Sequence, residues 1–229
     1  TKTWWDWSTA GKKGPDGKPL VIKDEQGYDT YHFKKGDFVW EANVVPEYLW
    51  FNGDVEYTLL EEKVDASGVV PINRVSGSYA DEGSRIWPFK VMRGRQPYDV
   101  QNKVFGVPHL FGKDEDAYWK SFNWDKALKA GLAERGMEYS GEHGFLETEY
   151  FWPLTHMVAP ADSALACADC HAEGGRMAKL AGVYLPGQSR FAWLDVVGWL
   201  LVLATAAGVT LHRFGRIVSK RKTNGGGAK

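Results

Sequence analysis

Residues 165–174, LACADCHAEG, carry the only two cysteines of the chain, Cys167 and Cys170, and His171 follows the second directly. C-x-x-C-H is the attachment pattern of a c-type haem. Two thiols one helical turn apart reach the vinyl groups along one porphyrin edge, and the adjacent imidazole turns back toward the iron. Three other readings compete. A disulfide would give His171 no role, and a thioredoxin-like pair wants a strand–helix context that the Ala-rich SALACADC after Pro160 does not supply. A zinc site wants further ligands at suitable spacing, and the chain has no second cysteine pair. Haem c held by Cys167 and Cys170, with His171 as the proximal iron ligand, is therefore the leading expectation.

An iron that only carries electrons takes a sixth ligand. His156, in YFWPLTHMVAP, is the first candidate, for this haem or a neighbouring one; Met157 beside it would raise the potential. His109 in GVPHLFG is second-line, as is His143 in SGEHGF. His32 alternates within a strand-like run, and His212 borders the apolar segment near the C-terminus, so neither is expected to bind iron.

That segment, residues 191–211, reads FAWLDVVGWLLVLATAAGVTL: 21 residues with one charge, Asp195. At ~1.5 Å per residue it is ~31 Å long, the thickness of a bilayer's hydrocarbon core. A buried core helix would be shorter and would show a polar face. Arg213, Arg216, Lys220, Arg221 and Lys222 follow it, whereas only Arg190 is close before it. The positive-inside bias then places the C-terminus in the cytoplasm and the larger part outside, which in a bacterium means the periplasm, anchored on the inner membrane by a single pass. Asp195 is either an intramembrane functional carboxylate or a hydrated residue near the interface, and Ala204 and Gly208 form a small-residue pair that admits a neighbouring helix. Residues 1–17, TKTWWDWSTAGKKGPDG, lack the apolar region of a signal peptide, so the chain is expected to be a mature form or to start inside a longer gene product.

A formal net charge of −1, with no long basic run before residue 188, argues against nucleic acid as a partner. Nine of the eleven Trp precede residue 188, and such rings either pack a large core or face a flat apolar ligand. The expected organisation is an extramembrane domain over residues 1–188, a transmembrane helix over 189–214 and a basic tail over 215–229. Within the domain, residues 15–110 read as strands and turns, with a hairpin at Asn52-Gly53 and a turn at Gly36. Residues 76–99 are rich in Gly and Pro and read as loops. Residues 111–188 read as a helical, haem-bearing part. Asn123 caps a helix over 124–135 that Gly136 stops, and residues 175–180 offer one further helical turn. The fold class is α+β, with one C-terminal transmembrane helix.

The stretches IWPFKVMRGRQPYDVQNK, YWKSFNWDKAL, YSGEHGFLETEYFWPLTHMVAP and ALACADCH together resemble the C-terminal part of the octahaem tetrathionate reductase family, and FKKGDFVWEANVVPEYLWFNG is similar to the stretch before that family's last haem site. The likeness runs over residues 5–186. It implies an irregular extramembrane domain of the multihaem cytochrome type, in which closely packed haems pass electrons to a catalytic haem that reduces tetrathionate or nitrogen oxyanions. By match of motif, Cys167, Cys170 and His171 hold the last haem of the series, and His156 is a distal ligand. The chain has one haem motif where the family has eight, and no residue matches the family's catalytic haem or its lysine ligand. The resemblance thus implies partners: an upstream multihaem segment or subunit, and a quinol-linked or cytochrome b protein in the membrane. Two alternatives stand beside it, a free-standing monohaem carrier tethered to the membrane and a haem-free periplasmic interaction module.

Overall fold

The computed structural model describes residues 1–155, 160–172, 174–184 and 191–224. They form two units, Thr1–Val183 and Tyr184–Lys229. The first is built on a nine-stranded mixed sheet whose spine is a single long strand. Along the chain the strands are β1 (Lys2–Asp6), β2 (Val21–Lys23), β3 (Asp29–His32), β4 (Gly36–Trp40), β5 (Glu47–Phe51), β6 (Val55–Tyr57), β7 (Val70–Pro71), β8 (Asn73–Val75), β9 (Arg85–Asp99), β10 (Val104–Phe105) and β11 (His143–Pro153). The sheet runs β2-β3-β4-β1-β9-β11-β7, with β5 and β10 also paired to β9, while β6 and β8 form a separate two-stranded sheet.

Strand β9 corrects the expectation of loops over residues 76–99. Proline lacks a donor but keeps its acceptor. The carbonyls of Pro88 and Pro97, near the two ends of the strand, take the N–H groups of Leu154 (3.0 Å) and Gly106 (2.9 Å). Gly94 serves close approach rather than a turn: a Cβ there would stand 2.2 Å from the Trp5 carbonyl oxygen of parallel β1. Strand β11 corrects the helical expectation for residues 111–188. Its run of Phe, Thr, Tyr and Trp suits a pleated surface, and it pairs antiparallel with β9 from His143↔Asp99 to Pro153↔Phe89. Charges on the two strands meet in register: Arg95 reaches Glu147 at 3.3 Å, and Arg93 lies between Glu47 (2.9 Å) and Glu149 (3.5 Å).

The Asn52-Gly53 turn forms, with Gly53 at φ +107°, but it does not make a hairpin. The strands it joins belong to different sheets, since β5 pairs β9 and β6 pairs β8. Gly36, at φ +87°, does close the turn between the antiparallel β3 and β4.

Of two short helices, α1 (Tyr118–Ser121) is not signalled in the sequence, whereas α2 (Trp124–Ala133) follows the expected signals and ends two residues before the expected limit at 135. The Asn123 side chain accepts a hydrogen bond from the Lys126 N–H at 3.0 Å, and Gly136, at φ +73°, ends the run. Ala127, Leu128, Gly131 and Leu132 are buried. Much of the aromatic content is core: Trp5 stacks on Trp7 (4.7 Å), Tyr118 stacks on Trp124 (3.9 Å), and Phe51 and Phe151 stand edge-on to the fully buried Phe89. Residues 175–180 form turns rather than a helix.

The second unit contains one long helix, Ala192–Asn224, which extends ten residues beyond the expected limit at 214 into the basic tail. Its segment Ala192–Lys220, whose most apolar 18-residue stretch has a mean hydropathy of 1.9, is long and apolar enough to cross a membrane, and none of that stretch is buried. The hydroxyls of Thr205 and Thr210 donate to the carbonyls of Leu201 (2.8 Å) and Ala206 (2.7 Å), so neither polar group is left open.

Asp99, fully buried at the end of β9, ties that end to the loop before β11. It accepts from the N–H and hydroxyl of Ser140 and from the backbone and side-chain amides of Asn102. Burial acts to raise its pKa, but these four bonds outweigh burial and hold the carboxyl below the usual range. A depressed folded pKa contributes stability above the unfolded value of ~3.9, which is lost as pH falls through the folded value. Asp99→Asn is expected to destabilise the domain by roughly 2 kcal/mol at pH 7, with the gap to the wild type closing below about pH 4. Urea midpoints measured across that range check it; a gap independent of pH would contradict the assignment.

Candidate haem site

The cysteine motif is one turn of helix, α3 (Cys167–His171). Ala166 before it is extended, and its N–H donates to the Asp169 Oδ2 at 2.7 Å, which closes the start of the turn. Cys167 and Cys170, three residues apart, therefore lie on one face, with His171 adjoining. The chain folds back at once: Arg176 N–H donates to the Asp169 carbonyl (2.8 Å), and Gly175 N–H to that of Ala172 (2.8 Å). A side chain at Gly175 would meet the Cys170 carbonyl oxygen at 2.8 Å, so only glycine lets the return run this close.

The returning segment docks on the sheet. The Trp50 indole N–H, from β5, donates to the Ala181 carbonyl at 2.9 Å. Trp50 packs edge-on to Tyr79 at 5.7 Å, and Gly182, at φ +81°, sits over the Tyr79 side chain where a Cβ would approach to 2.7 Å. Leu180 is buried beside them in sequence. Trp50 pairs with Ile86, so the segment that follows the motif is fastened near the N-terminal end of β9. None of Trp50, Tyr79 and Gly182 stands out in the sequence, because the contact links residues 131 positions apart.

Neither cysteine is in a disulfide; Cys167 is exposed and Cys170 half-buried. Among the described residues no group of three or more His, Cys, Asp or Glu could hold a metal ion. The arrangement suits a covalently held haem: two thiols on one helical face, not oxidised to each other, with an imidazole adjoining.

His156 and Met157 lie outside the described residues. Strand β11 leads to them, and the Leu154 N–H, bound to the Pro88 carbonyl, is the last ladder contact before them. The structure does not bring His109 to the cysteines. Its Nε2 faces Asp114 and its Nδ1 faces Glu134, both at 3.3 Å. The hydrogen bond from His109 helps hold the Asp114 carboxyl below the usual range, after the contribution of Asp114's own backbone N–H. His143, at the far end of β11, has its Nδ1 on Asp125 at 2.7 Å. The His32 Nδ1 accepts from the Lys34 N–H at 3.2 Å.

The family model of bacterial cytochrome c matches residues 2–174. Among solved structures, the octahaem cytochrome c from Shewanella oneidensis is similar, with 39% identity and a TM-score of 0.71, over 83% of this chain and 43% of that one. The chain thus spans less than half the length of that protein. No curated protein matches. A fold shared at this identity, with the match running through the C-x-x-C-H motif, identifies the chain as a member of the bacterial cytochrome c family, with haem c as its cofactor.

Proposed function

We propose that this chain is the C-terminal, membrane-anchored portion of a periplasmic multihaem reductase, contributing one haem c to a row of haems that carries electrons to a catalytic haem elsewhere. The observation that carries this reading is the match itself: most of the chain corresponds to less than half of a protein that holds eight haems. A second observation supports it. Every residue from Pro160 to Ala172 except Cys170 is exposed, so a haem held there takes much of its apolar cover from outside this segment. That favours a portion of a larger assembly over a self-contained carrier.

In this reading Cys167 and Cys170 hold the porphyrin through thioethers and His171 binds the iron from one side. His156 binds from the other, for this haem or its neighbour, with Met157 as the substitute. The bound haem supplies a one-electron carrier. Trp50 and Tyr79 keep the motif in one place against the sheet, which holds the spacing to neighbouring haems constant. The resemblance to octahaem tetrathionate reductases favours tetrathionate or nitrogen oxyanions as substrates of the whole enzyme. The apolar helix and the basic residues after it support a single pass with the domain in the periplasm and the C-terminus in the cytoplasm, next to a quinol-linked or cytochrome b partner.

The matured chain is expected to yield one covalent haem in a pyridine haemochrome assay, with Cys167→Ala and Cys170→Ala together yielding none; unchanged covalent haem in the double variant would refute the site. On its own the chain is expected to show a partly high-spin spectrum that becomes low-spin when the upstream segment is co-expressed. A fully low-spin, six-coordinate spectrum from the chain alone would favour the free-standing carrier.

The anchor has its own test. The full chain should remain in the membrane pellet after alkaline carbonate washing, and a chain ending at residue 184 should be released. Release of the full chain would overturn the membrane assignment.

A further inference from the structure

The pairing of β1 with β4 contains one slip. Asp6 faces Asp37, Trp5 faces Phe38 and Trp4 faces Val39, but Lys2, not Thr3, then faces Trp40. Side chains alternate across a strand, so without the extra residue Lys2 would share a face with Trp4. The bulge at Thr3 turns Lys2 to the face of Trp5. Its ammonium there stands 3.8 Å from the centre of the Phe38 ring, 4.7 Å from that of Trp5 and 5.1 Å from that of Trp40. Bulges that re-aim a side chain in this way recur beside functional sites.

The aromatic floor under Lys2 is fixed in advance. Phe38 is buried, and Tyr28 stacks on Trp40 at 4.8 Å. The Trp40 indole N–H donates to the Asp29 carbonyl at 2.8 Å, and the Trp5 indole N–H to the Lys35 carbonyl at 2.7 Å. A ligand arriving here would not have to order these rings. Above them lies a cleft of about 300 Å³, lined by three lysines, Lys2, Lys23 and Lys35, and by one carboxylate, Asp29. That volume suits a small ligand.

The charges of the cleft do not balance. Lys23 Nζ is 2.9 Å from the Asp29 Oδ1 and also donates to the Gly27 carbonyl at 3.2 Å, so this lysine and this carboxylate are spent on each other. Lys2 and Lys35 form no ion pair among the described residues. The ring faces attract the Lys2 ammonium but do not cancel its charge. Burial first, then the nearby Lys35 and Lys90, lower the pKa of Lys2, and Asp29 opposes them as the smallest influence. Two positive charges are thus gathered at one cleft with no anion to meet them.

We propose that the cleft over β1 and β4 binds a small oxyanion with two negative charges, of the sulfate or hydrogenphosphate type, between the Lys2 and Lys35 ammonium groups. The rings of Trp5, Phe38 and Trp40 take one side of the Lys2 ammonium. The anion takes the other, since an aromatic face is negative and repels it. Asp29, neutralised by Lys23, does not oppose the anion. Neither Lys2 nor Lys35 is a haem ligand, and the site is independent of the multihaem reading above.

The probe is radiolabelled inorganic sulfate, measured by equilibrium dialysis against the full matured chain in detergent. Ionic strength is held constant, so that general screening is the same at every point. The wild type should bind a single sulfate, displaced by hydrogenphosphate but not by nitrate at the same ionic strength. Lys2→Gln should bind it roughly ten-fold more weakly and the exposed Lys35→Gln roughly three-fold more weakly. Lys2→Arg, which keeps the charge, should lose less than Lys2→Gln. Lys18→Gln, at a lysine paired with Asp16 outside the cleft, should bind as the wild type does. Thermal midpoints taken without sulfate separate loss of the site from loss of the fold, and added sulfate should raise the midpoint of the wild type but not that of Lys2→Gln. Absence of saturable binding by the wild type, equal displacement by nitrate, or undiminished binding by a folded Lys2→Gln overturns the proposal. Should Lys2→Gln fail to fold, undiminished binding by Lys35→Gln overturns it instead.

Discussion

The antiparallel register between Arg85–Asp99 and His143–Pro153 is the constraint on which the rest of the molecule depends. Every other strand of the large sheet adds to one of these two or is joined to them through β1. At one end the register pairs Asp99 with His143, and the buried carboxylate there gathers the Ser140 and Asn102 donors. At the other end it pairs Phe89 with Pro153 and passes the chain to Leu154, just before the segment that leads to the cysteine motif. A slip of one residue would turn every side chain of β11 to the opposite face. The paired charges of Arg93 and Arg95 with Glu149 and Glu147 oppose such a slip, as does the close passage of β1 over Gly94.

The sheet therefore acts as a rigid ruler to which the segment after the cysteine motif is fastened. The motif helix has little core of its own, and the segment that follows it is held by the Trp50–Ala181 bond and the Tyr79–Gly182 contact. Electron transfer between haems depends on fixed separations, and a short exposed helix does not provide them by itself. Strand β5, carrying Trp50, supplies that fixity because it is paired along its whole length to β9. The aromatic content follows the same logic: rings such as Trp7, Trp124 and Phe89 fill the space around the ruler rather than lining a single pocket.

What the sequence made legible was local chemistry. The Cys–Cys–His spacing, the Asn123 cap, the Gly136 stop, the Gly36 turn and the long apolar run each depend on neighbours within a few residues, and each has its counterpart in the structure. What stayed hidden depends on distant partners. Pro88, Gly94 and Pro97 look like loop residues until the N–H groups that the two proline carbonyls accept, and the strand that passes close to Gly94, are known. The Asn52-Gly53 turn has the right local form, but its strands find other partners. The pairing of His143 with Asp125 joins a strand start to a helix start 18 residues earlier, which no local period reveals.

The account stands most directly on the covalent bond between this chain and its haem. Tryptic digestion of the matured chain with mass spectrometry of the peptides tests it. One peptide, the one holding Cys167 and Cys170, should carry a single haem on both sulfurs and account for all the covalent haem of the chain. Recovery of that peptide with two free thiols, or with the two cysteines joined to each other, would contradict the assignment.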